Sequence, residues 1–181
     1  IKDLYKIQVE GYYKDIKNLF TFEESRATTD EAISDSVLSD IVTPSDGYAY
    51  GLELFAQKMS GRLSGWLAYT FSVSRKSMNS IFYEEEEEYY NSWDRTHSFS
   101  ALGNYIFNNK LDMNWKLSLQ SGQAYTPIIG YYNQILPEGP DEVYRTIPGT
   151  RNSARYSPYS RLDLGIVYHT KLFGSKMDIY V

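Results

Sequence analysis

The side chains best suited to chemistry in this sequence are aromatic. Tyr83, Tyr89, Tyr90, Trp93, Tyr125, Tyr131 and Tyr132 fall in or beside two of three long connecting stretches. Rings on connections held by a rigid scaffold can stack on sugars, haem-like rings or catecholate groups. Tyrosine also anchors membrane surfaces, where one end is apolar and the other wet, so both roles stand open. Arg145, Arg151 and Arg155 share the third connection with Tyr125, Tyr131 and Tyr132. They suit either an anionic ligand or ion pairs between connections. Glu84–Glu88 are five contiguous carboxylates. An ordered site for a hard cation needs acids spaced around a turn, usually with a glycine, and no glycine lies between Arg75 and Asp94. That run is expected to be a solvated segment, and no metal site is expected.

His97 and His169 are the only histidines. Asp94, His97 and Ser98 have the residue types of a hydrolase, but adjacent strand residues point to opposite faces and cannot meet. Asp94 with Arg95, and Arg161 with Asp163, read as polar wall positions or anchors for connections. Gly130, Gly139 and Gly149 punctuate the third connection, as in Leu136-Pro-Glu-Gly-Pro140, without the strand-to-helix setting of a phosphate-binding loop. Zero cysteines exclude disulfide scaffolds, thiolate zinc and thiol catalysis. Neither an enzyme nor a cofactor is expected.

The elements that must hold these residues are strands. Among 181 residues, 42% are hydrophobic, and Tyr outnumbers Phe by 18 to 8. Mean hydropathy is −0.47. With 18 basic and 23 acidic residues the chain lacks the electrostatic footprint of a nucleic-acid partner. No apolar run is long enough for a membrane helix, a test that leaves β-barrels untouched. Period-two alternation is clearest from Leu63 to Arg75, where Leu63, Leu67, Tyr69, Phe71 and Val73 face away from Ser64, Thr70, Ser72 and Ser74. It predicts seven strands, roughly 3–14, 47–58, 63–75, 93–107, 110–124, 157–171 and 176–181. About eleven residues at ~3.3 Å each and a ~45° tilt rise some 25 Å, the height of the apolar band on an outer-membrane barrel.

The connections alternate in kind. Short ones at Met59–Arg62, around Asn108–Asn109, and at Leu172–Ser175 interleave with long ones at about 24–46, 76–92 and 125–156. In an up-and-down meander, all tight turns then lie on one side and all long connections on the other. Charge divides the same way: the long stretches carry a net −9, which leaves +4 elsewhere, with Lys58, Arg62, Lys110, Lys171 and Lys176 near the tight turns. Leu63, Leu67, Tyr69, Phe71, Leu117, Leu119, Leu162, Leu164 and Ile166 are expected on the convex, lipid-facing surface, with aromatic girdles at both ends. A soluble, carbohydrate-binding β-sandwich also alternates, but needs neither uniformly long strands nor connections sorted by side.

Four stretches carry a family resemblance. Gly47-Tyr-Ala-Tyr-Gly-Leu-Glu-Leu-Phe-Ala-Gln57, Trp93-Asp-Arg-Thr-His97 with Leu102-Gly-Asn-Tyr-Ile-Phe107, Ser121-Gly-Gln-Ala-Tyr-Thr-Pro127 and Ser157-Pro-Tyr-Ser-Arg-Leu-Asp-Leu164 resemble the C-terminal barrel of TonB-dependent outer-membrane receptors. The resemblance implies an all-β, antiparallel transmembrane barrel segment, part of a barrel of about 22 strands plugged by an N-terminal domain. It implies location in the outer membrane of a Gram-negative bacterium and import of a scarce extracellular ligand. The partners it implies are outer-membrane lipid, that ligand, and the inner-membrane TonB complex acting through a plug. Residues 1–181 are expected to be a partial barrel domain without plug, leader or aromatic-terminated last strand. A passive porin-like channel is the alternative within the same architecture.

Overall fold

The computed structural model describes residues 4–22, 42–79, 86–134 and 143–181. The described residues form strands and no helix. In chain order these are β1 (Tyr5–Phe22), β2 (Val42–Lys58), β3 (Leu63–Asn79), β4 (Glu86–Tyr90), β5 (His97–Asn108), β6 (Leu111–Gln120), β7 (Ala124–Tyr125), β8 (Ile128–Gln134), β9 (Val143–Pro148), β10 (Ala154–Arg155), β11 (Tyr159–Leu172) and β12 (Ser175–Tyr180). Eight of them make one antiparallel sheet in the order β1-β2-β3-β5-β6-β11-β12, with β4 also on β3. The path has β1 and β12 as its ends, so the sheet is open.

The expected seven positions are present in chain order, with one correction. Both β4 and β5 pair with the same side of β3, through Arg75↔Tyr90 and Phe71↔His97, so two strands fill the fourth position. The interruption at Asn91–Thr96 is a tight polar detour. Ser74 donates its backbone N–H to Asp94 Oδ1 at 2.7 Å, and Asn91 donates its own to the Ser74 carbonyl. Pairing also outruns the apolar stretches that predicted it. β1 continues to Phe22, β2 begins at Val42 and β3 reaches Asn79, because an antiparallel ladder continues wherever the neighbouring backbone offers a partner.

Tight turns and long connections separate by rim. Across the turns, Met59 N–H reaches the Leu4 carbonyl, Ile106 N–H the Arg62 carbonyl, and His169 N–H the Lys110 carbonyl, which puts all three hairpins at one edge. The last turn places Phe173 (φ 49°) and Gly174 (φ 83°) in the left-handed region, the requirement of a two-residue type I′ hairpin. The strand ends joined by the long connections lie at the opposite rim. The third one, expected as loop, contains four short strands: β8 pairs with β9, and β7 with β10.

The register sorts side chains by face. One row runs Val9–Leu54–Tyr69–Phe99–Leu119, and the next Ile7–Ala56–Leu67–Ala101–Leu117–Leu162. Behind them run Gln8–Phe55–Ala68–Ser100–Ser118–Arg161 and Glu10–Glu53–Thr70–Ser98–Gln120. The apolar face lies uncovered: Ile7, Val9, Leu162 and Leu164 are each more than half exposed. Buried apolar side chains are few, and three of the six, Met78, Tyr89 and Ala124, belong to the long-connection end. A second sheet of the kind a sandwich needs is absent among the described residues. Tyr13, Tyr48, Tyr50, Phe71, His97 and Tyr69 form a continuous aromatic ribbon across four strands toward the long-connection rim. Tyr105 and Phe107 meet edge to face at 4.9 Å toward the other rim.

Candidate functional site

Where β3 and β4 pair, the cross-strand triplet Tyr48–Arg75–Tyr90 brings a guanidinium between two phenols. Arg75 Nη2 donates to the Tyr90 hydroxyl at 2.9 Å, and its guanidinium lies 4.4 Å from that ring's centroid. Arg75 Nη1 also donates to Glu88 Oε1 at 3.1 Å, and the Tyr48 hydroxyl donates to the same oxygen. The Tyr48 hydrogen bond, aided by Arg75, holds the Glu88 carboxyl below the usual range. Glu88 therefore departs from the expected solvated run: it is a strand residue bonded to two neighbouring strands. Glu84 and Glu85 lie outside the described residues.

The third long connection is tied to this edge by two arginines. Arg155 Nη2 meets Asp94 Oδ2 at 2.7 Å, Nη1 reaches the Gly122 carbonyl at 3.1 Å, and the guanidinium lies 4.7 Å from the Tyr90 centroid. Tyr90 thus contacts two guanidinium groups, one from β3 and one from β10. Asp94 is 2% exposed, and its two oxygens accept from Ser74, Thr96 and Arg155. Arg151 lies 5.0 Å from the Tyr89 centroid and also reaches the Tyr89 hydroxyl and Met78. Asn152, at φ 49°, donates its side-chain amide to the Tyr90 carbonyl at 2.6 Å and its backbone N–H to Thr126 Oγ1.

The predicted contact residues divide on this geometry. Tyr89 is buried and Tyr90 half-buried, and both, with Arg151, fasten the connection to the sheet. Tyr125 stacks on Tyr156 at 4.4 Å within the same fastening. Trp93 stays 61% exposed at the detour, with Lys76 Nζ 5.3 Å from its ring. Tyr131 and Tyr132 are exposed on opposite faces of the β8–β9 hairpin. The register puts Tyr144 on the Tyr131 face, and it is also exposed. Sequence reading missed Tyr144 because nothing in its own neighbourhood signals a strand opposite β8. Arg145 pairs by backbone with Tyr132, and Tyr83 lies outside the described residues.

Among the described residues the groups of this rim are engaged with one another, an arrangement suited to binding and positioning. His97 Nδ1 is bonded to the Tyr69 hydroxyl at 2.8 Å, while Asp94 is committed to Arg155, so Asp94, His97 and Ser98 stay apart. His169 sits near the tight-turn rim between Asp178 (Nδ1, 2.8 Å) and Asp112 (Nε2, 3.2 Å). Among the described residues no cluster of three or more His, Asp or Glu has the geometry of a metal site.

The chain matches no protein-family model, no curated protein and no solved structure. Its functional reading therefore rests on its own residues: a fastened inner cluster at the rim, and beyond it a hairpin and a turn that expose Trp93, Tyr131, Tyr132 and Tyr144.

Proposed function

We propose that this chain is a stretch of barrel wall from a TonB-dependent receptor in the outer membrane of a Gram-negative bacterium. The receptor binds a scarce extracellular ligand and imports it into the periplasm. One observation carries the reading: an antiparallel meander, in chain order, leaves a continuous apolar face uncovered and keeps its tight turns on one rim. Water disfavours so broad an apolar surface, whereas a bilayer accepts it and demands in return a backbone paired within the sheet. The four sequence stretches that resemble the receptor barrel support the transport role.

On this reading the tight turns face the periplasm and the long connections face the exterior. The Arg155–Asp94 and Arg151–Tyr89 contacts hold the third connection at the outer rim. Trp93, Tyr131, Tyr132 and Tyr144 then present rings to the ligand, and the energised step belongs to a plug and the TonB complex. The test is uptake by cells expressing the intact protein, with and without a functional TonB complex. Retention in the outer-membrane fraction with TonB-dependent uptake is the expected result. Uptake that persists without TonB assigns the wall to a passive channel, and recovery from the soluble fraction without detergent rejects a membrane role.

A further inference from the structure

A groove of about 410 Å³ lies on the apolar face at its tight-turn end, bordered by β1, β2, β3, β5 and β6. It exists because small residues adjoin across strands. Gly65 faces Gly103, and Ala56 lies one row inward with Ala101. Gly103 has no Cβ, so the Trp115 indole lies directly over it, where any larger residue would collide with the ring. Along β3 the lining runs from Leu63 to Leu67. Four residues at ~3.3 Å run about 13 Å along the strand, which at a ~45° tilt rises about 9 Å of a ~25 Å apolar band. The groove therefore lies within one leaflet.

The mouth of the groove is charged. Lys58, the last residue of β2, ends on the same face, with its Nζ 6.0 Å from the Tyr5 centroid and beside the Gly61 turn. It makes no ion pair among the described residues, and Arg62, exposed in the adjoining turn, makes none either. Lys6, Gln57 and Ser64 also border the groove but by register belong to the opposite face, so Lys58 is the one charged side chain on this face of it. A protein interface would carry a polar rim with several hydrogen-bonding groups. An apolar slot within one leaflet, under a single ammonium, matches an acyl chain attached to a phosphate.

We infer that the groove is a binding site for an anionic glycerophospholipid of the periplasmic leaflet, its acyl chain against Trp115 and Ala56 and its phosphate on Lys58 with Arg62. The inference rests on the barrel-wall reading and adds a specific lipid to it.

Trp115 reports on occupancy directly, because bromine on an acyl chain quenches a neighbouring indole. The intact protein is placed in vesicles of phosphatidylcholine containing a minor fraction of brominated phosphatidylglycerol or of brominated phosphatidylcholine. The Trp115 signal is taken as the difference between wild type and Trp115→Phe. Phosphatidylglycerol should quench it at least three-fold more effectively at equal mole fraction. Lys58→Gln should abolish that preference with the protein still inserted, and Ala56→Phe should lower quenching by both lipids by filling the slot. Equal quenching by the two lipids, or a preference that survives both substitutions, overturns the lipid site while leaving the wall reading intact. A silent Trp115 beside a strongly quenched Leu164→Trp shows a protein partner or second copy over the groove, and overturns it as well. Silence at both positions places the face outside the bilayer and overturns the wall reading itself.

Discussion

Asp94 shows how one side chain organises the long-connection rim. It is almost fully buried and accepts from a backbone amide, a hydroxyl and a guanidinium, so removing its charge strands Arg155. Breaking a fully buried pair costs about 3–5 kcal/mol. Arg155 retains 31% side-chain exposure, so Asp94→Asn should cost roughly 2–3 kcal/mol. The loss should appear as early proteolytic cleavage within 149–156 while the sheet survives.

At the scale of elements, the β11–β12 hairpin turns on a residue chosen against local preference. Phe173 sits at φ 49° and is 99% exposed, so it loses conformational freedom and gains no contact. The left-handed region costs an ordinary L-residue roughly 1–2 kcal/mol, and asparagine much less. Phe173→Asn should thus stabilise the hairpin by ~0.5–1 kcal/mol, read as slower amide exchange at Thr170 and Met177. The two faces make a sharper contrast. Leu67→Arg or Leu117→Arg in the intact barrel should cost about 2–4 kcal/mol near the bilayer midplane. Ser118→Arg, one residue along β6 but on the polar face with Ser100 and Arg161, should cost far less. Equal losses in a folding titration would remove the face assignment.

For the molecule as a whole, the rim separates fastening from display. Gly149 donates its backbone N–H to the Pro127 carbonyl at 2.7 Å, so the β8–β9 hairpin leaves and re-enters through one closed base. Deleting 128–148 and joining at that base should keep Arg151, Asn152 and Arg155 in place. Outer-membrane content should then match wild type while ligand affinity falls at least ten-fold, with affinity and uptake measured separately. Unchanged affinity would shift recognition away from Tyr131, Tyr132 and Tyr144 and leave this connection as a cover for the rim.

How much of this was legible without coordinates depends on the range over which each feature is set. Alternation from Leu63 to Val73 and from Leu111 to Leu119 specified strands and the sides of their side chains, because side chains alternate along any extended backbone and a slip of one residue would turn every apolar group to the wrong side. The alternation of short and long connections likewise placed the tight turns on one rim. The tertiary structure alone decided the split of the fourth position into β4 and β5, the recruitment of Glu88 into a strand, and the withdrawal of Tyr89 and Tyr90 from solvent. Each depends on a partner distant in the chain: Arg155 is 61 residues from Asp94, and Arg151 is 62 from Tyr89. Polar side chains in irregular segments have no periodicity to announce their direction. Their role is set by which backbone the completed sheet brings beside them.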